Sequence, residues 1–171
     1  MRINEEISKV VGDKSFLDIG GLWGTVNERV SVAAKAGAKF TAMADIQPLN
    51  HQLWDRFFAR LTDEGVTCDK IFSQDLLNKE FASTVGTFNI VHCSGIIYHI
   101  PNPFHAIDQI LSVAKQEAFI NTTVIPSEIK TESGELHVPL GAALFVPAMQ
   151  SDQKISWRNI LHKLGQKRLL V

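Results

Sequence analysis

The stretch Leu17-Asp18-Ile19-Gly20-Gly21-Leu22-Trp23-Gly24 joins a short β-type run to a segment with helical spacing. The run covers residues 15–19, and the helical pattern begins near Val26. Glycines in a turn between a strand and a helix let the backbone bend tightly and approach a ligand without an intervening side chain. The stretch therefore predicts a strand–turn–helix unit with a ligand site at its turn. Glycines that serve chain geometry alone are the alternative.

The rest of the chain alternates β-type runs with segments of helical spacing. Most runs lack a polar–apolar alternation, which is typical of strands buried on both faces of a parallel sheet. Such alternation predicts βαβ units with helices on both faces of a mostly parallel sheet, a three-layer α/β fold. Ligands of these sheets bind at the carboxyl ends of the strands, where strand order reverses. The further runs cover residues 39–44, 66–72, 88–93 and 118–125.

Local patterns predict where helices begin and end. Asn102 followed by Pro103 predicts an N-cap with proline at the first helical position. Gly37, which follows an apolar segment, predicts a left-handed C-cap before the next strand. The apolar faces of two predicted helices consist of Leu53, Trp54, Phe57, Phe58 and Leu61, and of Ile107, Ile110, Leu111 and Ala114.

Composition favours a single globular domain over residues 1–171. Hydrophobic types make up 45% and charged types 20% of the 171 residues, which argues against global disorder. A net charge of −1 gives no support for a nucleic-acid partner. The sequence lacks an apolar run of membrane-spanning length and a secretory signal, so we predict a cytoplasmic protein without membrane association. Cys68 and Cys93 lie in apolar runs, which favours reduced, buried thiols, and their spacing predicts no metal site.

Polar residues follow the predicted strands where the ligand site is expected. Asp45 ends the second run, where a carboxylate can accept both ribose hydroxyls of a nucleotide-like cofactor. Asp75, after the third run, can accept from the exocyclic amine of a base or cap a following helix. After the fourth run, Tyr98 and His99 are the better substrate-facing pair, with a structural loop histidine as the alternative. His92 lies within that strand and is the weaker candidate.

These segments together resemble those of class I S-adenosylmethionine (SAM)-dependent methyltransferases over roughly residues 15–125. Residues 17–24 are similar to the family's first motif, Asp-x-Gly-x-Gly-x-Gly, with Leu22 in place of the middle glycine. Residues 88–103 are similar to the family's fourth-strand motif. The resemblance implies a Rossmann-like methyltransferase fold, SAM as the cofactor and S-adenosylhomocysteine (SAH) as the product.

The resemblance also implies a role for each matched residue. The chemistry of methyl transfer adds a role for two of them: a hydroxyl nucleophile needs a base, for which we expect His99, with Tyr98 as its orienting or stacking neighbour. Asp18 would organise the first-motif loop and its contact to the cofactor's amino group. The implied cofactor-binding residues are Asp18, Gly20, Gly21, Trp23, Gly24, Asp45, Ile46, Gln74, Asp75, Cys93 and Ser94.

The carboxyl-terminal part departs from the family's seven-stranded sheet, whose last two strands form an antiparallel hairpin. Residues 155–164 predict a helix and residues 167–171 the start of a sixth strand, so we expect the seventh strand to be missing. An open apolar sheet edge predicts a homodimer. Residues 126–152 lack clear periodicity and are expected to form a substrate-side loop or lid. The basic residues of 154–168 predict a solvated helix face, with phosphate or RNA contact as the alternative.

The predicted function is methyl transfer from SAM to a small-molecule acceptor, with catalysis by proximity and orientation. A cofactor- or partner-binding domain of the same fold without catalysis is the alternative. A nicotinamide-dependent oxidoreductase is disfavoured, because Thr25 stands where Gly-x-Gly-x-x-Gly requires its last glycine.

Overall fold

The computed structural model of the chain describes residues 3–23, 28–122, 128–131 and 134–137. These residues belong to two compact units, Met1–Thr122 and Thr123–Val171. A single domain over residues 1–171 therefore stays a prediction. None of the described helices is long and apolar enough to span a membrane.

Five parallel strands form the central sheet of the first unit, and their spatial order is β3-β2-β1-β4-β5. Strand order thus reverses between β1 and β4, as the predicted α/β fold requires. The strands are β1 Ser15–Ile19, β2 Phe40–Asp45, β3 Lys70–Ser73, β4 Phe88–Ser94 and β5 Ala114–Asn121. The helices are α1 Ile3–Val10, α2 Val30–Lys35, α3 Gln52–Asp63, α4 Phe81–Val85 and α5 Pro103–Val113, with a 3₁₀ turn at Ile97–His99.

Alternate side chains of β1 enter different apolar layers, because successive residues of a strand point to opposite faces. Leu17 and Ile19 pack in a buried cluster with residues of α4 and α5. Phe16 packs on the other face with residues of α1 and α2. The sheet therefore has helices on both faces, which confirms the predicted three-layer α/β architecture.

The predicted helix ends agree with the structure at two positions. The Asn102 side chain accepts a hydrogen bond from the His105 amide, and Pro103 begins α5. Gly37 has a φ of +84° immediately after the C-cap of α2. The predicted extension of the α5 face to Ala114 is wrong, because Ala114 has an extended backbone and begins β5.

Two predicted strands are displaced along the chain. The run at 66–72 contributes only Lys70–Ser73 to β3. Its first residue ends α3 instead: Gly65 has a φ of +68°, and the Val66 amide donates to the Leu61 carbonyl at 2.9 Å, a six-to-one C-cap bond. The fifth run, predicted at 118–125, is paired from Ala114 to Asn121, with a register shift opposite Phe88 and Ile90. The start of α2 also differs from the prediction, at Val30 rather than near Val26.

The second unit contains an antiparallel hairpin of β6 Glu128–Thr131 and β7 Gly134–His137. The hairpin lies within residues 126–152, whose sequence lacks clear periodicity, and the assignment of these residues as a substrate-side loop or lid stays a prediction. Strands of four residues carry too few positions for a periodic pattern to stand out from a loop. The predicted helix at 155–164 and strand at 167–171 lie outside the described residues, so the missing seventh strand stays a prediction.

Candidate functional site

The glycine turn, which we define as residues 20–23, leaves the carboxyl end of β1 at the point where strand order reverses. Gly20 has a φ of +75°, and its amide donates to the Ala44 carbonyl at 2.7 Å. A Cβ atom at Gly20 would lie 1.8 Å from Cδ1 of Ile96, in the segment after β4. The turn therefore needs glycine here for both backbone conformation and space.

Asp18 is a fully buried carboxylate on β1 and organises the segment around this turn. Its Oδ2 atom accepts a hydrogen bond from the Arg29 amide at 2.6 Å, just before α2. Its Oδ1 atom lies 2.7 Å from Nδ1 of His92 on β4. A Cβ atom at Gly21 would lie 2.7 Å from the same Oδ2, so glycine lets the turn pass against the carboxylate. The loop-organising role that the resemblance implies for Asp18 stays a prediction.

Leu22 replaces the motif's middle glycine without placing its side chain at the turn surface. The side chain is fully buried, in a cluster with Val30 of α2, Met43 of β2 and apolar residues of α3. The Leu22 amide donates to Oδ2 of Asp45 at 3.4 Å. The hydrophobic core thus accommodates this departure from the motif.

Asp45 ends β2 beside the glycine turn, with 4% of its surface exposed. Its Oδ1 atom accepts from the Gln47 amide at 3.0 Å. Burial raises the pKa of the Asp45 carboxyl, and the nearby Asp18 carboxylate raises it further, against the lowering effect of the two amide hydrogen bonds. Asp45 is therefore held at the edge of the turn by amides of two segments, those of Leu22 and Gln47.

Glu28 is a second buried carboxylate near the start of α2. It is fully buried and accepts from the Ser31 amide through Oε2 at 2.9 Å. Its Oε1 atom lies 2.9 Å from Nε of Arg60 on α3. The amides of Arg29 and Ser31, at the amino end of α2, are thus both bound by carboxylates of this chain.

The end of β3 brings Gln74 next to Asp45, because the Gln74 amide donates to the Asp45 carbonyl at 2.8 Å. Asp75 is exposed, and its Oδ1 atom accepts from the Leu77 amide at 2.9 Å. The helix that Asp75 was alternatively predicted to cap does not start here, since α4 begins at Phe81. Asp75 instead stabilises a turn, and its second oxygen has no hydrogen bond among the described residues.

The segment after β4 carries the two predicted acceptor-side residues. Gly95 follows Ser94 with a φ of +77°, and Tyr98 and His99 then form the 3₁₀ turn. The Tyr98 and His99 rings lie 4.2 Å apart between centroids, and 42% of Tyr98 is exposed. The structure therefore presents both rings to solvent at the carboxyl end of β4.

The remaining predicted cofactor residues differ in accessibility. Trp23 and Ile46 expose 71% and 61% of their surfaces after β1 and β2, where apolar side chains can cover a ligand. Cys93 is fully buried among the apolar residues beneath α4 and α5, and burial raises its pKa to about 12. Only the main chain of Cys93 can therefore reach a ligand. Gly24 lies outside the described residues.

His92 and Glu28 are the site residues whose part the sequence did not indicate. His92 is 1% exposed and lies opposite Asp18 in the β1–β4 register. His92 is a polar residue in an otherwise apolar run. Because β1 and β4 are expected to be neighbours, this could have indicated a polar partner for His92 on β1. Glu28 had no comparable signal, because its partner Arg60 is distant in the chain.

No family model matches the chain, and no curated protein matches it either. Solved structures do match. PKMT2 from Rickettsia typhi in complex with AdoHcy superposes with a TM-score of 0.51 at 14% identity, over 75% of this chain and 24% of that protein. SMU.776, a candidate methyltransferase complexed with SAH, gives 0.53 at 14% identity, over 71% of this chain and 34% of that one. A candidate SAM-dependent methyltransferase from Streptococcus mutans superposes with a TM-score of 0.53 at 16% identity, over 69% of this chain and 32% of that one.

The matched part of this chain thus covers between 24% and 34% of the length of those proteins. Identities of this size show a shared fold rather than a shared activity. The chain has the fold of the class I SAM-dependent methyltransferases.

Proposed function

We propose that this protein binds SAM at the carboxyl edge of β1, β2 and β3 and transfers its methyl group to a small-molecule acceptor beside β4. The observation that carries the proposal is the pair of buried carboxylates, Asp18 and Asp45, at the ends of two neighbouring strands: Asp45 accepts the Leu22 amide of the glycine turn, and Asp18 accepts the Arg29 amide just before α2. SAM supplies an electrophilic methyl group on a sulfonium cation. The protein's task is to bind SAM and the acceptor, to orient them against each other, and to exclude water.

The electrostatics at the start of α2 favour a cationic cofactor over a dinucleotide. Dinucleotide-binding folds place a pyrophosphate on free amides at a helix amino terminus. Here the Arg29 and Ser31 amides already donate to Asp18 and Glu28. A pyrophosphate at this position would find both amides occupied and the Asp18 carboxylate nearby, whereas the sulfonium and ammonium groups of SAM would be attracted by that carboxylate.

The residues at the edge fit the parts of SAM. Each Asp45 oxygen accepts one amide hydrogen bond and has a second lone pair for a ribose hydroxyl. Gly20 and Gly21 would present backbone without a side chain to the methionine portion, in a turn that a Cβ atom at Gly20 would force against Ile96 and one at Gly21 against Asp18. Asp75 has an oxygen available for the adenine amine, and Ile46 offers an exposed apolar surface for the ring.

Tyr98 and His99 are the proposed acceptor-side residues. In-line methyl transfer depends chiefly on the orientation of the nucleophile against the methyl carbon. The exposed His99 ring can take the proton of a hydroxyl nucleophile, and the neighbouring Tyr98 ring can orient or stack on the acceptor. For nucleophiles that carry no acidic proton, His99 positions the acceptor without acting as a base.

Calorimetric titration of the purified protein with SAM, SAH and NAD tests the cofactor assignment. We expect binding of SAM and SAH and none of NAD. Asp45→Asn tests the site, and Asp55→Asn on the exposed side of α3 is the matched control. Loss of a charged acceptor should weaken SAH binding by about 1–3 kcal/mol in Asp45→Asn only. Binding of NAD alone would overturn the proposal, and binding of SAH without turnover of any acceptor would favour the non-catalytic alternative.

A further inference from the structure

His92 and Asp18 form a buried pair across the two strands that flank the switch point. The residues lie directly opposite each other in the parallel β1–β4 register. Both side chains are 1% exposed, and His92 Nδ1 lies 2.7 Å from Asp18 Oδ1. A hydrogen bond this short between groups shielded from water fixes the orientation of both side chains.

Asp18 is the point at which several parts of the cofactor site meet. Its other oxygen accepts the Arg29 amide at 2.6 Å. The same oxygen lies against Gly21, where a Cβ atom would approach it to 2.7 Å. A rotation of the carboxylate about its Cβ–Cγ bond would therefore disturb both the entry to α2 and the glycine turn. The only side chain that bonds the opposite oxygen among the described residues is His92.

We infer that His92 is a positioning residue for cofactor binding, which acts by holding the Asp18 carboxylate in the orientation that shapes the glycine turn. The inference rests on the proposed SAM site. His92 contacts no cofactor itself; it fixes the carboxylate through Nδ1. The segment after β4 that carries Tyr98 and His99 begins at Gly95, three residues beyond His92, so this bond also ties the start of that segment to the glycine turn.

The geometry assigns the proton of the neutral imidazole to Nδ1. Asp18 accepts at Oδ2 from a backbone amide, and as a carboxylate it accepts at Oδ1 as well. The Nε2 atom of His92 is buried and has no hydrogen-bond partner among the described residues. A proton on Nε2 would leave a buried donor unsatisfied, whereas a bare Nε2 leaves only an acceptor without a partner.

Two substitutions of His92 test the roles of its two ring nitrogens separately. His92→Asn keeps a donor at the position of Nδ1, because Asn Nδ2 stands at the same number of bonds from Cβ. His92→Gln places its amide near the position of Nε2 and loses the donor to Asp18. We expect SAH affinity within about threefold of the wild type for His92→Asn and a loss of about tenfold or more for His92→Gln.

This order is opposite to the one that packing alone would produce. Asn leaves a larger cavity than Gln, so a merely structural His92 would make His92→Asn the weaker binder and the less stable protein. Equal SAH affinities of the two variants, or tighter binding by His92→Gln, would overturn the inference. Unfolding midpoints measured in parallel separate loss of affinity from loss of fold.

Measurements on the ligand-free protein keep the inference testable without cofactor binding. We expect long-range ¹H–¹⁵N correlations of the wild type to show the Nδ1–H tautomer, and an Nε2–H tautomer would contradict the inference. Amide hydrogen exchange at Arg29 should be about tenfold faster in His92→Gln than in His92→Asn. A wild type that fails to bind SAH would reject the proposed function, and the tautomer and the Arg29 exchange rates would still decide the role of His92.

Discussion

Arg60 on α3 and Glu28 before α2 form an ion pair whose carboxylate is fully buried, with Nε of Arg60 2.9 Å from Oε1 of Glu28. Glu28 also accepts the Ser31 amide, so the pair ties α3 to the start of α2. The amides of Arg29 and Ser31, at the start of α2, are thus held by Asp18 from β1 and by Glu28 with the support of α3. Both anchors are carboxylates whose charge needs a partner in the folded state.

Arg60→Met keeps most of the aliphatic stem and removes the guanidinium from Glu28. Because the carboxylate would stay buried without its cation, we expect the free energy of unfolding to fall by about 2 kcal/mol, less than for a wholly buried pair since Arg60 is 29% exposed. Urea unfolding measures the change. Lys35→Met is the matched control, because the Lys35–Glu64 pair is exposed and should contribute less than about 1 kcal/mol. Equal losses in the two variants would contradict the assignment.

Gly20→Ala should destabilise the protein more than Gly37→Ala. Both glycines have a positive φ, which costs about 1–2 kcal/mol for a residue with a Cβ atom, but only Gly20 faces a side chain at contact distance, that of Ile96. A double-mutant cycle of Gly20→Ala with Ile96→Ala isolates the steric part, which we expect as a favourable coupling. Additive losses in that cycle would show that Ile96 does not restrict this position.

Neither cysteine of the native protein should react readily with iodoacetamide near neutral pH. Burial raises the pKa of Cys68 to about 11 and that of Cys93 to about 12, and only the thiolate is alkylated. The raised pKa alone should slow the alkylation of Cys68 by about 100-fold relative to the unfolded chain. Mass spectrometry after timed exposure, with and without urea, gives both rates. Rapid native alkylation of Cys93 would be inconsistent with its position in the core.

Asp45 should link SAH binding to pH. Its pKa is raised by burial, so the native state holds this proton more tightly than the unfolded chain does. The unfolding free energy therefore falls as pH rises from the ordinary carboxyl value through the raised folded value, and this contribution is constant above it. We expect SAH affinity to change in the opposite direction, since acidification through the folded pKa removes the charged ribose acceptor.

Asp45→Asn provides the test of this linkage by calorimetry at several pH values. The variant should bind SAH weakly with an affinity that does not depend on pH in this range. The loss of SAH affinity should not be matched by a fall in the variant's thermal midpoint near neutral pH, because the substitution removes a buried charge from the folded protein. A pH dependence as steep as that of the wild type would assign the titration to another group.

Much of the sheet could be predicted from local sequence. The run at 15–19 and the Asn102-Pro103 helix start agree with the structure because short-range steric and capping preferences decide them. Boundaries were less predictable where two local preferences compete. Val66 is β-branched and therefore favours a strand. In the structure, however, the Val66 amide donates to a carbonyl of α3 as part of the C-cap at Gly65 that ends this helix.

The sequence by itself determined the α/β class, the glycine turn after β1, and the positions of Asp45 and Asp75 at strand ends, because chain connectivity places the residues that follow parallel strands at one edge of the sheet. Only the tertiary structure decided the environment of each side chain. It buries Leu22 against α3 and pairs His92 with Asp18. Contacts between residues distant in the chain depend on how the layers pack, and no local pattern in the sequence encodes that packing.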